Sequence, residues 1–139
     1  MVNIPKADGK DASGKAAQLE SILVVNKDMH TIEDITRAIE DSELKCNILK
    51  CCNGDDAIVM YSKYSPKLII IDTSLPKKSG FLVVEKIKEG KENPYIIMTS
   101  ESPGKRNQEW ARMKGVEAYF KKPFNMRKLM ECIKHYVER

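Results

Sequence analysis

A chain of 139 residues, 42% hydrophobic and 32% charged, has the length and balance of one soluble domain able to bury most of the surface its unfolded form exposes. No apolar run approaches the roughly 20 residues that cross a bilayer, and the first twenty residues hold no hydrophobic signal core, so membrane and secretory roles are excluded and a cytoplasmic protein is expected. The net charge of +4 is uneven: Pro103 to Arg139 carries ten Lys and Arg against four Glu, but without aromatic interleaving or an Arg-crowded helix, which points to a solvated face or an acidic protein partner and away from direct nucleic-acid binding.

Residues 1–20 mix Lys, Asp, Gly, Ser and Ala with few large apolar side chains. Such a segment cannot offset the entropy of ordering and is expected to be a mobile tail, with the domain spanning 21–139. Ile22 to Val25 is a β-branched run suited to a strand buried on both faces. Thr31-Ile32-Glu33-Asp34 has the form of an N-cap followed by an acid, and Ile32, Ile35, Ala38 and Ile39 recur at helical spacing. A second strand is predicted over Cys46 to Cys51, a turn at Asn53-Gly54, and a helix over Ala57 to Tyr64 closed by Ser65-Pro66.

Lys67 to Asp72 is the third strand, ending on a carboxylate where Thr73-Ser74-Leu75-Pro76-Lys77-Lys78-Ser79-Gly80 cannot continue it. A helix follows Gly80 with Leu82, Val83 and Ile87 on one face. Tyr95 to Thr99 is a fourth strand, Asn107 to Lys114 a short helix, Glu117 to Phe120 a fifth strand, and Asn125 to Val137 an amphipathic helix whose Met126, Leu129, Met130, Ile133 and Tyr136 face the core by period. Five strand-helix alternations with right-handed crossovers make an α/β fold, a parallel sheet covered by helices on both faces.

The cysteines Cys46, Cys51, Cys52 and Cys132 lack paired C-x-x-C spacing and a histidine cluster, so zinc is not expected. They read as reduced thiols, with adjacent Cys51 and Cys52 packing on opposite sides of a strand. His30 and His135 fall on helices without ligand spacing, and neither is a candidate phosphorelay histidine. Trp110 reads with Met113 as either a surface patch for a partner or simple packing.

Polar residues end four of the apolar runs: Asn26-Lys27-Asp28, Asp72, Thr99-Ser100 and Lys121-Lys122-Pro123. In a doubly wound sheet these ends share one edge, where ligands bind. A carboxylate that attacks, with a hydroxyl and an ammonium to hold the new phosphate oxygens, makes a phosphoryl-accepting site.

With Ile22-Leu23-Val24-Val25, Asn53-Gly54, Leu68 to Gly80 and Tyr119-Phe120-Lys121-Lys122-Pro123-Phe124 in place, the chain from Ser21 onward resembles the receiver domain of bacterial two-component response regulators. The resemblance implies a flavodoxin-like doubly wound five-stranded sheet of order 2-1-3-4-5 with five helices. It implies that Asp72 is the phosphoacceptor, Thr99 the switch hydroxyl, Lys122 the phosphate-binding lysine and Tyr119 the aromatic rotamer switch. Ser74 and Glu101 would tune phosphate lifetime, and the Ser74 backbone carbonyl would join Asp72 at a magnesium ion. A cis bond before Pro123 would aim Lys122 at the site. Implied partners are a sensor histidine kinase or phosphotransfer protein, and a downstream target on the face of helix four, strand five and helix five. No output domain and no enzymatic activity are expected.

The departure follows strand one. Where the family places two acids for magnesium, this chain has Asn26 and Lys27. An amide is a poor magnesium ligand and an ammonium is none, so weak or absent magnesium binding is expected. Asp28 lies one residue too far along and reads more simply as a turn or capping acid than as a metal ligand. Lys27 is either a solvated lysine or an ammonium set against Asp72 in place of metal charge.

Two functions from different classes are thus compatible with the sequence. One is a phosphorylation-driven switch, and the other a pseudo-receiver that binds its partner in a fixed conformation. A small phosphotransferase or flavin-binding protein of the same topology is disfavoured because no Gly-rich phosphate loop follows strand one.

Overall fold

The structure, a computed structural model, describes residues 9–10, 16–17, 19–102 and 104–139. The expected tail lies largely outside these residues. Within it, Gly9–Lys10 pairs antiparallel with Ala16–Ala17.

The strands are β1 (Ser21–Val25), β2 (Asn47–Cys51), β3 (Leu68–Asp72), β4 (Tyr95–Ser100) and β5 (Ala118–Lys121), of which β1, β3 and β4 are buried almost throughout and β2 and β5 are largely half-buried. Between and after them come α1 (Met29–Asp41), α2 (Gly54–Tyr64), α3 (Gly80–Lys88), α4 (Lys105–Met113) and α5 (Met126–Val137). The strands are all parallel in the order β2-β1-β3-β4-β5, which is the expected 2-1-3-4-5 arrangement.

Strand alternation divides the core in two. Leu23, Val25, Ile69, Ile71, Ile96 and Met98 pack with residues of α2, α3 and α4. Ile22, Val24, Leu68, Ile70 and Ile97 pack with residues of α1 and α5. β3 is buried along its whole length, because both its faces and both its edges are covered. Adjacent Cys51 and Cys52 go to opposite clusters, as alternation requires.

Helix starts differ from the sequence reading where side chains compete to cap. α1 begins at Met29, not after Thr31: the Asp28 carboxylate accepts the His30 N–H at 3.0 Å and the Thr31 hydroxyl at 2.9 Å, so Asp28 is the N-cap. Asn53 does the same for α2, accepting the Asp56 N–H at 2.8 Å. The predicted Asn53-Gly54 turn is therefore the cap and first residue of that helix. α4 starts at Lys105, two residues earlier than expected, and β5 at Ala118, one later.

At the amino-terminal edge of the sheet, the half-buried Glu117 carboxylate accepts the Ile96 N–H at 3.2 Å. Burial raises its pKa, opposed by that hydrogen bond and by Lys88. An acid raised on folding binds its proton more tightly in the folded state, so its contribution to stability is largest below its unfolded pKa and is lost as pH rises through the raised value. Glu117→Gln keeps an acceptor for Ile96 and removes the titration. The urea midpoint of the variant relative to the parent should therefore rise as pH increases above the ordinary glutamate range of about pH 4; a pH-independent difference would contradict this.

Candidate functional site

Parallel pairing sets the site. Asp72 is opposite Thr99 and Ser100 is opposite Lys121, so three strand ends meet at one edge. Two backbone bonds carry the ladder past those ends: the Thr73 N–H to the Thr99 carbonyl at 2.9 Å and the Lys122 N–H to the Ser100 carbonyl at 2.8 Å.

Asp72 is 1% exposed, and a carboxylate so buried must be paired and hydrogen-bonded. Its Oδ1 accepts the Thr99 hydroxyl at 2.7 Å and lies 2.6 Å from the Lys122 ammonium. Its Oδ2 accepts the Ser74 N–H at 3.1 Å. These charge-assisted bonds engage both oxygens, two donors on Oδ1 and one on Oδ2. Behind them the Thr73 hydroxyl donates to Ser100 Oγ at 2.9 Å, and Ser100 Oγ in turn donates to the Ser102 carbonyl at 3.2 Å. The Lys122–Pro123 peptide is cis.

The loop from β3 to α3 is held by two glycines. A Cβ on Gly80 would lie 2.1 Å from the Asp72 carbonyl oxygen, and one on Gly54 2.2 Å from that of Lys78. No side chain fits either approach without moving backbone. Between them Lys77 takes φ 70°, with the Lys78 N–H reaching the Pro76 carbonyl at 2.8 Å: a γ-turn in a strained region of backbone space.

Asn26 is buried at the end of β1, its side-chain oxygen accepting the Asp28 N–H at 2.9 Å. Asp28 is exposed and bound to the start of α1, and its bonds to Thr31 and then His30 hold its carboxyl below the usual range. Lys27 is exposed and lines the same cavity as Asp72 and Lys122, and it forms no ion pair among the described residues. Of the two readings of Lys27, the pairing with Asp72 is not made; the lysine on Asp72 is Lys122, whose backbone is tied to β4. Lys27 sits on an exposed turn and stays solvated.

Ser74 and Glu101 flank Asp72 on the wall of that cavity, which has a volume of about 430 Å³. Tyr119 packs against the α2–α3–α4 core, and its hydroxyl is buried without a hydrogen-bond partner among the described residues. On α4, Trp110 meets Phe81 edge to face at 5.0 Å and belongs to the packing, whereas Met113 is 76% exposed. The sequence alone does not single out Thr73 and Gly80. The signal available for both was their place at either end of the loop after a buried strand.

Residues 22–134 match the family model of the response regulator receiver domain. The chain is 28% identical to the chemotaxis protein CheY of Halobacterium salinarum over 107 residues, 68% of this chain and 89% of that protein. It is 29% identical to the polar-differentiation response regulator DivK of Brucella anthropi over 113 residues, 71% of this chain and 92% of that one. Among solved structures, the signal receiver domain of a Luxo repressor protein from Vibrio parahaemolyticus superimposes with a TM-score of 0.81 at 23% identity, covering 88% of this chain and 92% of that one. Among the described residues, no helix is long and apolar enough to cross a membrane.

Proposed function

The chain belongs to the response regulator receiver domain family, and on that premise we propose that it signals by protein contact from a fixed conformation, without magnesium-dependent phosphorylation of Asp72. One observation carries this reading. The Thr99 hydroxyl and the Lys122 ammonium are both already on Asp72 Oδ1, and Lys27, at a position where the resemblance implies an acid, lines the same cavity.

Receiver domains generally hold magnesium at the phosphorylation site, so the donor set is the test. Magnesium takes oxygen ligands in near-ideal octahedral geometry and favours carboxylates. Here Asp72 is bonded at both oxygens, the Asn26 oxygen is spent on Asp28, and Asp28 is spent on the start of α1. Two ammonium groups line the cavity beside them. These residues do not fit the ion.

In the proposed mechanism Lys122 supplies the positive charge on Asp72, Thr99 holds the second bond to the same oxygen, and Tyr119 keeps its ring packed inward. The equilibrium between conformers is then set by the sequence and not by a ligand. The surface offered to the downstream target is that of α4, β5 and α5, where the basic surplus of the last quarter of the chain lies and Met113 is exposed. An acidic partner with an apolar anchor matches that chemistry.

The second reading has Asp72 accepting a phosphoryl group from a histidine kinase or phosphotransfer protein. The retained Asp72, Thr99 and Lys122 favour it. Incubation with magnesium and acetyl phosphate, followed by intact-mass measurement, separates the two: no adduct is expected, and rapid stoichiometric modification of Asp72 would establish the second reading. The double variant Asn26→Asp/Lys27→Asp should gain magnesium-dependent labelling in the same assay.

A further inference from the structure

We infer that two copies of the chain associate through the outward faces of α2 and α3, as a two-fold dimer. α3 turns Val83, Val84 and Ile87 into the core and leaves Leu82 52% exposed. α2 buries Ala57 and Met60 and leaves Val59 61% exposed. Both exposed side chains line one groove of about 560 Å³ between the helices, with the half-buried Ile58 beside them. Exposed apolar side chains that share a groove mark a contact surface, whereas single scattered ones do not.

The charges around the groove decide what covers it. Its lining holds three acids, and each lies beside a lysine: Asp55 bonds Lys78, Glu89 is 3.7 Å from Lys86, and Glu85 is 3.8 Å from Lys114 at the end of α4. Three acids against three lysines leave the rim neutral, with the two signs interspersed. A strongly acidic or strongly basic partner gains nothing from such a rim. A second copy does, because a two-fold axis sets one self-complementary patch against itself and lets each lysine meet an acid of the other copy. The exchange costs little, since all three pairs are exposed and such pairs contribute little within one chain. The face of α4, β5 and α5 has the opposite property: the surplus of Lys and Arg in the last quarter of the chain repels a second copy there.

α2, α3 and α4 cover one side of the sheet, and α1 and α5 the other. Pairing through α2 and α3 therefore leaves α5 of both copies open, so the dimer presents that basic helix twice. Two short helices per copy make a small interface, and the dimer dissociates on dilution.

Sedimentation velocity on the full chain from about 10 µM to about 1 mM tests the inference. The weight-average mass should rise with concentration toward that of a dimer. Leu82→Glu, and separately Val59→Glu, should weaken association by about tenfold or more. Met113→Glu, at the exposed apolar position of α4, should leave it unchanged. Lys86→Glu and Glu89→Lys shift the rim charge by two in opposite directions. Each variant alone should associate more weakly than the parent, and an equimolar mixture of the two should recover association as a mixed dimer, which separates a lost contact from a damaged fold. A monomer mass at every concentration would leave the groove to a different protein and overturn the inference. So would a dimer weakened by Met113→Glu and not by Leu82→Glu, or a charge-reversed mixture that associates no better than its components.

Discussion

Asp72→Ala should destabilise the protein by about 2–3 kcal/mol, read as a lower urea midpoint with an unchanged slope. The substitution strips the Lys122 ammonium, the Thr99 hydroxyl and the Ser74 N–H of their shared acceptor. Breaking a buried ion pair costs about 3–5 kcal/mol, and the lower figure reflects Lys122, which at 20% side-chain exposure can turn toward water. The sign is informative. In a site crowded with carboxylates, removing one relieves repulsion and stabilises, so a stabilised Asp72→Ala would contradict the pairing described here. Lys122→Met alone should also destabilise, and the double variant should cost less than the sum, with a coupling of about 1–3 kcal/mol.

The second large effect is expected at Gly80. An alanine methyl would sit 2.1 Å from the Asp72 carbonyl oxygen and 2.9 Å from the Thr73 Cα, and both neighbours are backbone held by the β3–β4 ladder. Either α3 lifts from the sheet or the end of β3 shifts. Overpacking of this kind costs about 1–3 kcal/mol and occasionally more, and Gly80→Ala belongs at or above the upper end because no flexible side chain can yield. Gly90→Ala is the control, since its nearest neighbour would be 3.4 Å away. Equal urea midpoints for the two variants would refute the argument.

The strands were legible because their signal is local. Ile22 to Val25 and Leu68 to Ile71 are apolar without interruption, and their shortness and β-branched content suit strands of a doubly covered sheet. Asp72, Thr99 and Lys122 could be placed together because each ends an apolar run, and parallel strands bring those ends to one edge. The helix starts were less legible. Thr31 and Asp28 both have capping side chains, and the choice depends on how the chain leaves β1, where Asn26 binds the Asp28 N–H. The Thr73–Ser100 bond joins residues 27 apart in sequence and exists only once register is set. Lys27 admits two outcomes in sequence because sequence gives a lysine's position but not its reach. The exposed turn leaves it solvated, while the backbone of Lys122 is fixed by the Ser100 carbonyl.

The two bonds that extend the ladder beyond the strand ends, from Thr73 to Thr99 and from Lys122 to Ser100, have a dynamic consequence. The residues that carry the site are tied by backbone hydrogen bonds to the ends of the sheet strands. The Thr73 N–H, on the buried end of β3, should be more strongly protected from exchange than the Lys122 N–H, which follows an edge strand. Motion available to this site is then rotation of the side chains of Thr99, Lys122 and Tyr119 about a still backbone.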